Sequence, residues 1–99
     1  ERVKGLSGID QMPFQGMLFV FDASAKWAFW MKDMKLDVDI IWISENLRVV
    51  DIKEEIKPET FPQIFEPREE AKYVLEIPAG FSKLHALKTG SGVKILSSL

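Results

Sequence analysis

Phe29-Trp30-Met31-Lys32-Asp33-Met34-Lys35-Leu36-Asp37-Val38-Asp39-Ile40-Ile41-Trp42-Ile43 sets two apolar, aromatic-rich runs on either side of a loop of alternating charge. Alternation along residues 26–31 puts Trp27, Phe29 and Met31 on one strand face and Lys26, Ala28 and Trp30 on the other. The second run, 38–44, reads as another strand, and Asp39 lies inside it, alternating with Ile41 and Ile43. A carboxylate is rarely set within an apolar strand unless it has a partner. The stretch therefore marks the core of the fold and its candidate special site together.

Working outward, Met17-Leu18-Phe19-Val20-Phe21 is apolar on both faces and reads as a buried strand. Asp22-Ala23-Ser24 is a turn, and its shortness favours an antiparallel hairpin between 17–21 and 26–31. Strands 38–44 and 47–56 follow, joined at Glu45-Asn46, and a further strand covers 71–77. Between them, Pro58, Pro62 and Pro67 make 57–70 a long irregular connection, acidic through Glu59, Glu66, Glu69 and Glu70. Pro78-Ala79-Gly80 stops the strand at 77. A short helix is expected over 81–87, with Phe81, Leu84 and Leu87 on one face and Lys83 turned away. Gly90 and Gly92 end it and open a last strand at 93–96. At the other end, 1–6 reads as a helical turn and 8–16 as loop. The fold class is mainly β (α+β): a single domain over 1–99, with a curled or barrel-like, mostly antiparallel sheet and one or two short helices.

Composition removes several functions. The 99 residues carry a net charge of −2. Neither half of the chain is basic, which disfavours a phosphate-tracking, nucleic-acid-binding surface. Cysteine is absent, so disulfides, thiol catalysis and thiolate metal sites are excluded. No apolar run is long enough to cross a bilayer as a helix. The chain opens at Glu1 without an initiator methionine, which reads as a mature form or an excised domain. No cofactor is indicated: Gly90-Ser91-Gly92 lacks the lysine of a phosphate loop, and there is no Gly-x-Ser-x-Gly elbow. The lone His85 gives no zinc site of the usual kind.

Asp39 has two readings. In one it is a buried clamp, partnered by Arg2, Lys4 or Lys32, that ties the loop or the amino-terminal turn to the sheet. In the other it is a charged group at the floor of a pocket. Trp30 and Trp42 flank the loop; each suits either core packing or the stacking of a sugar or aromatic ring. Asp39 with Glu76 makes a conceivable glycosidase-like acid pair. Asp33, Asp37 and Asp39 have the alternate spacing of calcium ligands, without the glycine and distal glutamate of a calcium loop.

The order Arg2, Gly5-Leu6, Gly16-Met17-Leu18-Phe19-Val20-Phe21, Phe29-Trp30-Met31-Lys32, Asp39-Ile40-Ile41-Trp42-Ile43, Val49-Val50, Tyr73-Val74-Leu75-Glu76 and Ala79-Gly80 resembles the domain of unknown function 192 family over nearly the whole chain. The resemblance implies a compact β-rich fold, often exported in bacteria and found in archaea, with no implied reaction. The chain departs from the family pattern at Asp33-Met34 (usually Asn-Thr), Asp37 (usually Pro), Val38 (usually Leu), Asn46-Leu47 (usually an Asp-Gly-type turn) and Gly90-Ser91 (usually Gly-Asp). The expectation is a binding module for a small solute, a glycan or an envelope protein, with no catalytic residues and no bound metal. Its candidate ligand-binding residues are Trp30, Met31, Lys32, Asp33, Asp39, Trp42 and Glu76, beside the acidic 57–70 segment. The alternatives are a hydrolase using Asp39 and Glu76 or a divalent metal, and a structural accessory module.

Overall fold

A computed structural model gives the fold and describes residues 2–3 and 16–94. The strands are β1 (Arg2–Val3), β2 (Met17–Ala25), β3 (Ala28–Trp30), β4 (Val38–Ile43), β5 (Val49–Ile56), β6 (Ile64–Phe65) and β7 (Ala71–Pro78). A short helix, α1 (Phe81–Leu84), follows β7, and a 3₁₀ turn at Pro58–Thr60 opens the long connection. Four strands pair antiparallel in the order β2-β7-β4-β5, and a smaller sheet has the order β1-β3-β6. The two sheets are not closed into a barrel. This is the expected mostly antiparallel β domain with one short helix.

β4 lies inside the larger sheet, and all six of its residues are buried. That explains its near-continuous apolar run, since a strand covered on both faces has no solvent side for polar residues. Val38, Ile40 and Trp42 join Val74 of β7 with Phe29 and Met31 of the smaller sheet's side in one core between the two sheets. Ile41 and Ile43 form a second core with Val49 and Ile77, covered by Phe81, Leu87 and Val93. The segment that follows β7 thus shields the face that the smaller sheet does not.

At the entry to β2, a side-chain carbon on Gly16 would run into the Glu76 carbonyl and lie 2.7 Å from Ile77 Cγ2. Only glycine lets the chain meet β7 this closely, in register with Met17 opposite Glu76.

Several expectations are corrected. β2 continues through Asp22–Ala25 and pairs with β7, not with β3, so 17–21 and 26–31 do not form a hairpin. β3 instead lies between β1, parallel, and β6, antiparallel. The aromatics give the physical reason. Phe19 meets Phe29 at 5.6 Å between centroids and Phe21 stacks on Trp27 at 4.1 Å. These rings fill the space between two layers instead of sitting side by side in one sheet. Arg2–Val3 is strand, not helical turn; the rest of that expectation, and the 8–15 loop, fall outside the described residues. The helix ends at Leu84, which is 78% exposed, while Phe81 and Leu87 do face the core. Val93 and Lys94 form no strand; the chain makes a single bridge from Gly92 to Arg48, and Ile95 and Leu96 lie outside the described residues.

Candidate functional site

Asp39 is fully buried. Between the register pairs Val38–Ile56 and Ile40–Lys53, two residues of β5 oppose Asp39 alone, which is a bulge. Glu55 in that bulge has φ +50°, and its N–H donates to Asp39 Oδ1 at 2.8 Å. On the other side, Gly80 takes φ +89° and turns the chain back over the sheet from β7. The Gly80 N–H donates to Oδ1 at 3.2 Å, and the Ser82 N–H to Oδ2 at 3.0 Å. Ser82 Oγ, also buried, lies 2.6 Å from Oδ2 and 3.1 Å from Glu54 Oε2. One carboxylate therefore fastens β4 to the β5 bulge and to the start of α1. Charged acceptors make the stronger hydrogen bonds, which here offset the burial of the charge. The clamp reading of Asp39 fits: among the described residues its donors are main-chain amides and a serine hydroxyl, while the side chains of Arg2 and Lys4, two of the cations expected from sequence, lie outside the described residues.

Glu76 is buried as well, on the other face of the sheet. Its register partners are Met17 and Ile40, whereas Asp39 is paired with Ile77. Neighbours one residue apart on a strand point to opposite faces, so Asp39 and Glu76 lie on opposite sides of the sheet. No substrate bond can be flanked by both, which removes the glycosidase-like pair. Among the described residues no three His, Asp or Glu side chains come together to hold a metal. Asp33 and Asp37 are exposed while Asp39 is committed to the clamp, so the calcium-like spacing does not become a site.

Of the remaining candidates, Met31 and Trp42 are core residues. Trp42 Nε1–H donates to the Trp27 carbonyl at 2.8 Å, and its ring meets Phe29 edge-on at 6.2 Å. Trp30, Lys32 and Asp33 stand at the rim of the smaller sheet. Trp30 is half-buried, and its ring meets that of Phe61, in the 57–70 segment, at 5.0 Å between centroids. Lys32 Nζ lies 5.7 Å from the Trp30 centroid. The sequence candidates thus divide into a buried group and a rim group, and the rim group abuts the acidic segment.

Two anchors hold that segment, and sequence reasoning missed both. Asp51, buried in β5, accepts the Arg68 N–H at 2.9 Å and lies 3.4 Å from Arg68 Nη2. The signal was present, since Val49-Val50-Asp51-Ile52 embeds a carboxylate in an apolar run as Asp39 is embedded. At the other end Lys57 Nζ pairs with Asp37 at 3.1 Å. The hydrogen bond and the charge of Asp37 hold the Lys57 pKa above its ordinary 10.5. A raised folded-state pKa gives stability that is present below the unfolded value and lost as pH rises through the folded one. Thermal unfolding followed from about pH 9 to about pH 12 should therefore show a small alkaline loss that Asp37→Asn lacks. Because the pair is exposed, about 1 M salt should erase the difference.

Comparison with known proteins accords with this geometry. A protein from Sinorhizobium meliloti 1021, described as a putative transcription regulator, has a crystal structure that superposes with a TM-score of 0.85 at 33% identity, over 92% of this chain and 70% of that one. A protein of unknown function from Novosphingobium aromaticivorans DSM 12444 superposes with a TM-score of 0.86 at 25% identity, over 95% of this chain and 71% of that one. No curated protein matches the chain. The family model for DUF192, Uncharacterized ACR, matches residues 1–95, and the chain belongs to that family.

Proposed function

We propose that this domain is a non-catalytic binding module whose recognition surface is the rim formed by Trp30, Lys32, Asp33 and the 57–70 segment. The observation that carries the reading is the contact between Trp30 and Phe61. It joins the end of β3 to the acidic connection in one surface that offers aromatic faces and charges together, the usual make-up of a small recognition site. Phe61 is 42% exposed and Ile64, opposite Trp30 in the register, is 47% exposed. The non-catalytic part of the reading is supported by the fate of the acids, since Asp39 and Glu76 are buried on opposite faces. The partner is a small solute, a glycan or a protein of the cell envelope, in keeping with the frequent export of the family.

A thermal-shift screen against metabolites, glycans, cell-wall fragments and divalent metals tests this. A ligand at about a hundredfold over its dissociation constant adds roughly 2.7 kcal/mol, which in a domain of this size raises Tm by about 10 °C or more. The expected hit disappears in Phe61→Ala, whose own Tm falls only modestly because the residue lies at the surface, 42% exposed. Silence across the panel from well-folded protein would overturn the small-solute and glycan forms of the reading and leave a protein partner as the occupant of the rim.

A further inference from the structure

A positive charge already lies over the Trp30 ring, whose aromatic neighbour is Phe61. The two rings are tilted at 58° with their centroids 5.0 Å apart, and Phe61 is 42% exposed beside the half-buried Trp30. The ammonium of Lys32 lies 5.7 Å from the Trp30 centroid, within the range at which a ring face attracts a cation. The surroundings favour the same sign. The 57–70 segment has two cations, and each is committed to an aspartate outside it, Lys57 to Asp37 and Arg68 to Asp51. Glu59, Glu66, Glu69 and Glu70 therefore set the field of the segment, and Glu59 stands two residues from Phe61.

We infer that the Trp30–Phe61 corner is a site for an organic cation, an alkylated ammonium group, and that the Lys32 ammonium is the internal occupant such a ligand displaces. The inference rests on the binding reading above and names its ligand class. Exchange of the two cations is physically reasonable. A lysine ammonium is a compact, strongly hydrated point charge. An alkylated ammonium gives up water more easily and spreads its contact over both rings, as in aromatic cages for quaternary ammonium groups.

The test is an NMR titration of the tryptophan indole N–H signals with tetramethylammonium chloride, with sodium chloride at matched ionic strength as control. The parent protein, Lys32→Met and Phe61→Ala are compared; both positions are exposed, so both variants should fold. The expected result is a saturable shift of the Trp30 indole, with those of Trp27 and Trp42 unmoved. Lys32→Met should bind about two- to fivefold tighter, the size of one surface cation–π contact, and Phe61→Ala should lose the response. Choline and a trimethyl-lysine peptide, titrated in the same way, distinguish a free solute from a protein segment as the source of the cation. An equal response to sodium chloride, an unmoved Trp30 indole, or no gain in Lys32→Met would overturn the assignment. If the thermal-shift screen nevertheless gives a ligand, the binding reading stands and only its ligand class is wrong.

Discussion

Asp39→Ala should cost on the order of 4 kcal/mol, enough to leave the domain largely unfolded at physiological temperature if its stability is near the low end of the usual range. The substitution removes the acceptor of three backbone N–H groups, those of Glu55, Gly80 and Ser82, and of the Ser82 hydroxyl. A buried donor left without an acceptor costs about 1–3 kcal/mol, and these costs add incompletely because the freed groups share one cavity. The αL conformation of Glu55 compounds the effect, because it is held by the bond it makes to Asp39. Asp39→Asn should fall between, since one oxygen remains while the amide NH₂ confronts donors on the other side. Ser82→Ala should cost only about 1 kcal/mol, because the Ser82 N–H still binds Oδ2. Equilibrium urea unfolding of the three variants gives the ranking. A mild Asp39→Ala would mean that the carboxylate does not hold the three segments together.

Trp42→Ala is expected to be nearly as damaging, at about 3–5 kcal/mol. Its ring is fully buried in the core between the sheets, edge-on to Phe29, and its indole N–H is bonded to the Trp27 carbonyl just before β3. One side chain thus packs the two sheets together and fixes their relative position. Trp42→Phe separates the two contributions, since it keeps most of the apolar volume and loses the hydrogen bond. Its expected cost is about 1–2 kcal/mol. Chemical unfolding with unchanged m-values would show that stability, and not the extent of the core, has changed. A small loss in Trp42→Ala would place the inter-sheet core elsewhere.

The strands at 38–43, 49–56 and 71–78 were legible because their apolar runs are bounded by turn residues and proline. Strand partners were less so. A short turn between 17–21 and 26–31 suggested a hairpin, yet β2 finds its partner in β7, more than fifty residues on. Pairing over that distance is set by which aromatics fill the space between layers, and no local signal records it. Asp39 was legible as a special residue, and the donors that the described residues supply to it were not. Side-chain cations can be read from a sequence, but main-chain amides carry no residue identity. The donors here arise from a bulge at Glu55 and a left-handed turn at Gly80, which are features of backbone geometry. Trp42 and Met31 were grouped with Trp30 because they stand next to the same loop. β4 is covered on both faces, and that removes Trp42 from any surface. The contact between Trp30 and Phe61 joins residues thirty-one apart through an irregular segment, so only the folded chain brings them together.

On the proposed reading, the described donors occupy the Asp39 carboxylate and recognition falls to the rim around Trp30. Amide hydrogen exchange at Glu55, Gly80 and Ser82 tests this most directly. If the clamp is as described, these three amides exchange only through global unfolding, at the same free energy as the amides of β4. Exchange at a much lower free energy would mean that the carboxylate opens locally to solvent. Asp39 would then be available to a ligand, contradicting the account.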